Sequence, residues 1–480
     1  MSIATIALSP LWEVLLFSKY NFHHPLPSHN DYISGLILIV LFSFALSSLL
    51  YFLRSLSVRK SRFLSSIVVG CFLILPMNQF RGHIDQNISP GFIVNTAFFK
   101  ITPLIICFIF SIFSNFFYGN FLKTVSYFFL FPVFVFIQLG LGLFSSGGIE
   151  STFAGKGSNA GDHRLSNRVV WIIFDELDYR LTFPNRPTQV SLPSFDQLAD
   201  QAYNFTNALP PSNSTITSIP SLIDGIAYSF AYSISSKNLM LRSSSSDVAP
   251  WGTHSNVFTD VIALGGKSAV VGWYLPYSRI FGESVHYSHW VAISKEAFVG
   301  SGGNLTSTLK THLKGLVPVI RWVLHRDNLR LLEKDVDKIV VDPEIDLCFI
   351  HLPTPHLPSL NWNVGLRYSG IVEGYLGNLT IADRILGRCI NKIRGSSVFS
   401  NTTVIVSSDH PWRVSSLYDG KSDPRVPFLV RFPGQTNRLN LSNRVRTVNT
   451  RELVSNILGS PLVVDFETAN KRFYSDILSK

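Results

Sequence analysis

The stretch Thr403-Val404-Ile405-Val406-Ser407-Ser408-Asp409-His410 decides how this chain folds and where its chemistry lies. A short run rich in β-branched residues is typical of a buried strand in a parallel sheet. This run ends in an adjacent carboxylate and imidazole, which are both metal ligands. Open α/β sheets build their sites beyond the carboxyl ends of their strands. Taken alone, the pair has a simpler interpretation, a loop turn with an exposed histidine.

A second segment of the same kind favours the metal site. Residues 168–174 predict another buried strand, which ends in Asp175 and Glu176. Downstream, residues 212–218 are rich in Ser and Thr and lead into a predicted helix over residues 215–223. An acidic strand end, a hydroxyl at a helix start and a later Asp-His pair together predict a divalent metal that activates a hydroxyl nucleophile.

The N-terminal part has the composition of a membrane region. The chain has 480 residues and exceeds one ordinary domain. A helix needs about 20 apolar residues to cross a bilayer core. We therefore predict a transmembrane region over residues 1–146 with about four spans. Residues 3–17 are either a fifth span or an interfacial helix, and the second interpretation is preferred. The predicted spans are residues 33–53, 63–77, 101–117 and 125–144.

The basic residues between these spans predict the orientation. Positive charges at Arg54, Arg59, Lys60 and Arg62, and at Lys123 in a later loop, place both loops in the cytoplasm. The C-terminal domain then lies on the extracytoplasmic side of the cell inner membrane. The formal net charge of +10 arises from these loops and from scattered surface residues, or from a basic surface that faces anionic lipid. We expect no nucleic-acid partner for a domain in that location.

Beyond a Ser- and Gly-containing linker, residues 147–167, strand-like and helix-like segments alternate through residues 168–480. This alternation predicts an α/β domain with a mostly parallel central sheet covered by helices. The predicted strands are residues 168–174, 268–274, 346–352, 402–407 and 427–432. The predicted helices are residues 192–201, 215–223, 305–325, 328–337, 370–393 and 451–458.

The order of these strand-end motifs resembles the sulfatase-like branch of the alkaline phosphatase superfamily. With the membrane spans in front, the chain is similar to lipoteichoic acid synthases and to the phosphoethanolamine transferases that modify lipid A. The resemblance covers roughly residues 165–435 and implies an alkaline-phosphatase-like α/β fold. It implies that Asp175, Asp409 and His410 bind one divalent metal ion, Mn, Zn, Mg or Ca, offers Glu176 as a second acidic ligand beside Asp175, and leaves a second metal open.

The resemblance also implies a nucleophile. Counting ten residues back from Gly225 gives Thr215, which would attack phosphorus or sulfur, form a covalent ester and contact the metal. Ser214 and Thr217 are the alternatives, and Thr215 as a simple helix cap is another.

His356 lies in a segment similar to the family's Pro-His-x-Pro, which implies contact with the transferred group or the leaving oxygen; the alternative is a loop histidine between prolines. His351 is interpreted as structural. The chain lacks the Cys-x-Pro-Ser-Arg motif of ordinary sulfatases, so no formylglycine nucleophile forms. Pro411 stands where the family usually has Gly. Lys421, Arg413 or His254 is the candidate to supply charge to the substrate, and no motif assigns the role.

The function predicted from these features is a membrane-anchored, metal-dependent phosphotransferase. It would move a phospho-alcohol headgroup from a membrane lipid or lipid-linked substrate to a cell-envelope glycan acceptor through phospho-Thr215. A phosphate or sulfate ester hydrolase of the same superfamily is the first alternative, in which water resolves the same intermediate. A catalytically degenerate envelope binding protein is the second.

Overall fold

The structure is a computed structural model. It describes residues 2–17, 21–53, 130–145, 153–154, 164–243, 247–292, 304–316, 318–357, 370–462 and 464, with the isolated positions 55–56, 64–65 and 68. The chain divides into two compact units. The first comprises residues 1–19, 24–150 and 295–324, and the second comprises residues 20–23, 151–294 and 325–480. The predicted boundaries of the transmembrane region, linker and catalytic domain stay predictions.

Helices and strands alternate along the second unit. The helices of the whole chain, numbered in order, are α1 Ser2–Ala7, α2 Ser9–Phe17, α3 His29–Leu53, α4 Leu130–Ser145, α5 Tyr179–Thr182, α6 Pro193–Ala199, α7 Thr215–Asp224, α8 Val257–Ala263, α9 Tyr277–Phe281, α10 Leu305–Leu316, α11 Pro318–Ile339, α12 Ile371–Arg394, α13 Ser416–Asp419 and α14 Thr450–Leu458. The strands are β1 Phe153–Ala154, β2 Arg168–Asp175, β3 Tyr203–Phe205, β4 Ala208–Leu209, β5 Tyr228–Ser235, β6 Asn238–Ser243, β7 Val248–Pro250, β8 Ser268–Trp273, β9 Tyr287–Val291, β10 Leu347–Pro355, β11 Thr402–Ser408, β12 Leu429–Arg431, β13 Leu439–Leu441 and β14 Val445–Arg446.

A nine-stranded sheet forms the centre of the second unit, in the order β1-β9-β8-β10-β2-β11-β12-β3-β13. The strands from β9 to β11 run parallel, whereas β12 pairs antiparallel with both of its neighbours. Every residue of β2, β10 and β11 is buried. Strands covered on both faces need apolar side chains on both, which explains their continuous apolar runs. The predicted α/β fold with a mostly parallel sheet is confirmed.

Helix α12 supplies much of the core on one face of this sheet. Its apolar side, which includes Tyr375, Leu379 and Leu386, packs in one cluster with Ile172 of β2 and Ile350 of β10. Each fully buried side chain of this size contributes about 1.5–3 kcal/mol relative to exposure. The core therefore holds β2, β10 and β11 in a fixed arrangement, and their ends carry the site described below.

Some predicted elements differ from the observed ones. The division of residues 305–337 at residues 326–327 is wrong, because the second helix begins at Pro318 and continues to Ile339. Proline is favoured in the first turn of a helix, since its missing N–H has no partner there anyway. Strand β12 is shorter than predicted, and the antiparallel sheet β5-β6-β7 was not predicted.

Among the described residues, α3 is the one helix long and apolar enough to cross a membrane, with a mean hydropathy of 2.6 over its best window. The apolar stretch Pro132–Phe144 of α4 is shorter. The predicted spans 63–77 and 101–117 lie outside the described residues, apart from positions 64–65 and 68. Residues 3–17 form two short helices, α1 and α2, and neither has the length of a span. The fold thus shows one candidate N-terminal membrane helix.

Candidate active site

Three predicted metal ligands lie together where β2 and β11 end. These strands are parallel neighbours with Phe174 opposite Ser408, so Asp175 and Asp409 leave the sheet at the same level. One ligand atom each from Asp175, Asp409 and His410 lie within 4.8 Å of one another, and all three side chains are fully buried. The convergence follows from the shared edge of a parallel sheet.

The carboxylates of this cluster are only partly satisfied by the protein. Asp409 Oδ1 accepts hydrogen bonds from the backbone N–H groups of Glu176 and His410, at 3.2 and 2.8 Å. Among the described residues, Asp175 Oδ1 and Asp409 Oδ2 have no hydrogen-bond partner. Burial raises the pKa of Asp175 well above its ordinary value, and the nearby charges of Asp409 and Glu176 raise it further. Buried carboxylate oxygens without partners are costly unless a cation binds them.

The ring of His410 completes this donor set. Its Nδ1 donates to the carbonyl of Pro411 at 3.0 Å, because a carbonyl oxygen can only accept. Its Nε2 lies 3.3 Å from Asp409 Oδ2 and 3.8 Å from Asp175 Oδ1, so all three potential donor atoms face the same point. Two carboxylates and an imidazole suit a divalent metal, and the residues present therefore fit such an ion.

Thr215 begins α7 beside the cluster. Its hydroxyl donates to Asp175 Oδ2 at 3.3 Å and lies 3.2 Å from His410 Nε2. Thr217 differs, because its hydroxyl contacts Ser212 at 2.5 Å and donates to the Ser214 carbonyl at 3.0 Å. The geometry thus brings Thr215, and not Thr217, to the predicted metal ligands, next to a helix N-terminus that favours anions.

The spacing from Thr215 to Gly225 has a local cause. Gly225 ends α7 with a φ of 65°, a left-handed conformation that favours glycine. A Cβ there would lie 3.1 Å from Cδ of Arg451. The length of α7, from Thr215 to its end at Gly225, therefore determines the position of the Thr215 hydroxyl.

His356 belongs to a hydrogen-bonded chain beside the cluster. Its backbone N–H donates to the Asp175 carbonyl at 3.1 Å, and its Nδ1 donates to the Leu357 carbonyl. Its Nε2 then accepts from Arg413 Nη2 at 3.2 Å, and Arg413 Nε donates to Glu176 Oε1 at 2.7 Å. Burial lowers the pKa of His356, so the ring is neutral near pH 7.

Glu176 and Arg413 form a pair that the sequence did not predict. Glu176 adopts a φ of 63°, which is unusual for a residue with a side chain and clusters at functional sites. This conformation turns its carboxylate to Arg413, whose guanidinium is half exposed. The pKa of Arg413 is raised, because the Glu176 charge and hydrogen bond outweigh the lowering by burial. Glu176 therefore holds the charged guanidinium of Arg413 next to the cluster.

The structure places His351 nearer to the cluster than its structural interpretation suggested. Its Nδ1 lies 2.7 Å from the Tyr277 hydroxyl, and its Nε2 lies 3.9 Å from Asp175 Oδ2. Burial lowers the pKa of His351 to about 4. A neutral imidazole thus faces the outer side of Asp175. Its position on β10, next to β2, is the signal that could have identified it.

A buried Asp-Asp-His cluster at parallel strand ends, with a hydroxyl at a helix start, is the arrangement that the predicted resemblance to the sulfatase-like branch of the alkaline phosphatase superfamily implies. Two curated relatives confirm the predicted resemblance to that class. A phosphoglycerol transferase I from Xanthomonas campestris pv. campestris is 26% identical over 189 residues, which are 34% of this chain and 26% of the relative. An ulvan-active sulfatase from Formosa agariphila is 23% identical over 155 residues, which are 26% of this chain and 30% of the relative.

The chain thus matches about a quarter to a third of the length of these relatives. No family model matches the chain. A solved structure of a protein in the alkaline phosphatase superfamily from Vibrio parahaemolyticus aligns over 66% of this chain and 73% of its own, with 12% identity and a TM-score of 0.40.

Proposed function

We propose that this chain is a membrane-anchored, metal-dependent phosphotransferase that forms a phospho-Thr215 intermediate. The observation that carries the proposal is the position of the Thr215 hydroxyl, within 3.3 Å of two of the three residues of the buried Asp-Asp-His cluster. A hydroxyl that only capped its helix would not need to lie beside a buried cluster in which two carboxylate oxygens lack a hydrogen-bond partner among the described residues. The proposed roles are nucleophile for Thr215, metal ligands for Asp175, Asp409 and His410 with Thr215 beside them, and substrate contact for His356.

The residues of the chain can carry both half-reactions. Thr215 Oγ1 attacks the phosphorus of the donor, its proton passes to Asp175 Oδ2, and the ester bond to the leaving alcohol breaks. The leaving alkoxide takes a proton from solvent. A divalent cation held by Asp175, Asp409 and His410 would activate the hydroxyl and offset the phosphate charge.

In the second half-reaction an acceptor hydroxyl attacks the phosphorus of phospho-Thr215, and the bond from phosphorus to Thr215 Oγ1 breaks. The acceptor loses its proton to solvent, and the Thr215 oxygen regains the proton from Asp175. Arg413 is the proposed source of positive charge for the phosphate oxygens. In the resting site His356 Nε2 accepts from Arg413 and thereby orients it. The proposed contact of His356 with the substrate requires Arg413 to turn towards the phosphate and free Nε2.

The candidate membrane helix supports a lipid as the donor substrate. Helix α3 has the length and composition of a span, and one curated relative is named a phosphoglycerol transferase. We infer a phospho-alcohol headgroup taken from a membrane lipid, a cell-envelope glycan as acceptor, and a multi-pass inner-membrane protein with its catalytic domain on the extracytoplasmic side. The second candidate function is ester hydrolysis, which the other relative, a sulfatase, favours.

The test uses the full chain in lipid nanodiscs with a phospholipid labelled in its headgroup. Label should appear on Thr215 by mass spectrometry and then on an added glycan; release of free headgroup phosphate at the same rate with and without glycan would favour the hydrolase. Thr215→Ala should lower turnover by more than about 10³-fold. Thr217→Ala is the matched control and should retain turnover. Normal turnover in Thr215→Ala would reject the proposal, as would the absence of bound metal in the active protein.

A further inference from the structure

The small antiparallel sheet β5-β6-β7 presents an unusual outer face. Sheets of this kind that pack on one side normally carry polar side chains on the other. Here alternate residues of β5 point outward, and Phe230, Tyr232 and Ile234 are 48%, 39% and 56% exposed. Val248 of β7 is 44% exposed. We call Phe230, Tyr232, Ile234, Val248 and Arg242 the outer face.

These outward residues are neighbours across the strands. Phe230 lies opposite Arg242, and Arg242 lies opposite Val248. The rings of Phe230 and Tyr232 are 5.8 Å apart, and the Arg242 guanidinium lies 5.2 Å from the Phe230 ring centre. The outer face is therefore one contiguous aromatic and aliphatic patch with a cation on it, and such patches mark interaction surfaces.

The inner face of the same sheet is fixed to the body of the unit. Leu239 and Leu241 are buried, and the Trp251 backbone N–H donates to the Leu239 carbonyl at 2.7 Å. Trp251 in turn lies edge-on to Phe281, with ring centres 5.1 Å apart. The outer face is thus held on a packed support, so its exposure is a property of the fold.

The sheet also holds the chain that leads into the apolar helix α3. Phe22 N–H donates to Ser233 Oγ at 3.0 Å, and Arg279 donates to the carbonyls of Phe22 and Ser236. From His23 to the first residue of α3, His29, the chain advances six residues and can reach at most about 20 Å. If α3 enters a bilayer, covalent geometry keeps this sheet close to the bilayer surface.

The charges near the outer face suit an anionic surface. Residues 228–250 contain Lys237 and Arg242 against one acid, Asp247. Tyrosine and phenylalanine favour the level of lipid headgroups, and basic side chains beside them attract anionic lipids. We propose that the outer face of β5-β6-β7 docks on the anionic surface of the membrane in which α3 anchors the chain. The inference rests on the proposed anchoring and does not depend on the proposed chemistry.

Photocrosslinking of the full chain tests this docking. The variant Tyr232→benzoylphenylalanine is reconstituted into nanodiscs of phosphatidylcholine with phosphatidylglycerol, irradiated and analysed by mass spectrometry. Leu264→benzoylphenylalanine is the matched control, since Leu264 is also 39% exposed and precedes β8 at the opposite end of the strand from the site. Phe230→benzoylphenylalanine is a second probe if Tyr232 does not tolerate the change.

Lipid adducts should form at position 232 or 230 and exceed those at position 264 severalfold. Arg242→Gln, or omission of phosphatidylglycerol, should reduce them by up to about fivefold, the effect of one cation near an anionic surface. Adducts to a second copy, or to other parts of the same chain, would overturn the proposal, as would lipid adducts no greater than the control. Adding Thr215→Ala to the Tyr232→benzoylphenylalanine variant should leave the yield of lipid adducts unchanged. The docking proposal is therefore tested even if the proposed phosphotransfer fails.

Discussion

Replacement of Asp409 by asparagine should make the chain more stable than the parent in the absence of metal and less stable than the parent in its presence. The asparagine side chain would keep one oxygen to accept from the backbone N–H groups of Glu176 and His410. The change would also remove one of two negative charges whose ligand atoms lie within 4.8 Å. With an effective dielectric constant of about 20, two charges at that distance repel by about 3 kcal/mol. The raised pKa of Asp175 reduces this repulsion, because that carboxyl can take up a proton instead.

Thermal unfolding of the detergent-solubilised chain measures both halves of this prediction. In EDTA at pH 8, Asp409→Asn should raise the melting temperature by up to about 6 °C, at about 2 °C per kcal/mol for a domain of this size. With a divalent metal at about 100 times its dissociation constant, the parent chain should gain about 2.7 kcal/mol, and the variant should gain much less.

A control variant separates this effect from a general loss of charge. Asp200→Asn removes a carboxylate that is 69% exposed and 3.6 Å from Arg438, so it should change the melting temperature by less than about 2 °C in either condition. The reasoning is refuted if Asp409→Asn destabilises the chain in EDTA, or if metal stabilises parent and variant equally. Either result would mean that the cluster is satisfied within the protein and does not require a cation.

Three further predictions concern the surroundings of the site. Burial raises the pKa of Asp224 from 3.8 to about 7. The unfolding free energy should therefore fall between about pH 4 and pH 7, where this carboxyl ionises in the unfolded chain but keeps its proton in the folded one. In melting experiments across pH, Asp224→Asn should remove that fall and stabilise the chain at pH 8 by about 1–3 kcal/mol. Arg413→Gln should lower kcat/KM for a phosphodiester by about 10²-fold with little change in melting temperature, because a half-exposed guanidinium contributes charge to the transition state and its Glu176 pair is partly solvated; unchanged kcat/KM contradicts this. Gly225→Ala should cost about 1–2 kcal/mol, since φ is 65° and the new Cβ meets Arg451 at 3.1 Å, and a melting temperature equal to that of the parent would show that α7 ends differently.

The buried strands could be predicted from the sequence because a strand that is buried on both faces appears as a continuous run of apolar residues. Strands β2 and β11 were predicted to within one residue at each end. Strand β9 and the edge strands β1 and β13 were not predicted, since they are short or mix polar with apolar residues. Their place in the sheet depends on pairing with a neighbour, which a single sequence does not display.

The same distinction holds within the site. The meeting of Asp175, Asp409 and His410 follows from strand ends alone, because parallel neighbours share an edge. The contact from Glu176 through Arg413 to His356 could not be predicted in this way. It joins a strained backbone position to a loop residue and to a second loop, and no periodic pattern records which loop side chains meet.

Ser408 shows how the sheet register determines the chemistry. Its hydroxyl accepts from the Leu177 N–H at 2.9 Å and lies 2.8 Å from the Phe174 carbonyl and 2.7 Å from the His410 carbonyl. These contacts join the turn after β2 to the turn after β11. A slip of one residue between the two strands would turn Asp409 to the other face of the sheet. The predicted metal ligands are therefore positioned by the hydrogen bonds of Ser408, and the place of the Asp-His pair depends on the pairing of the two strands that precede it.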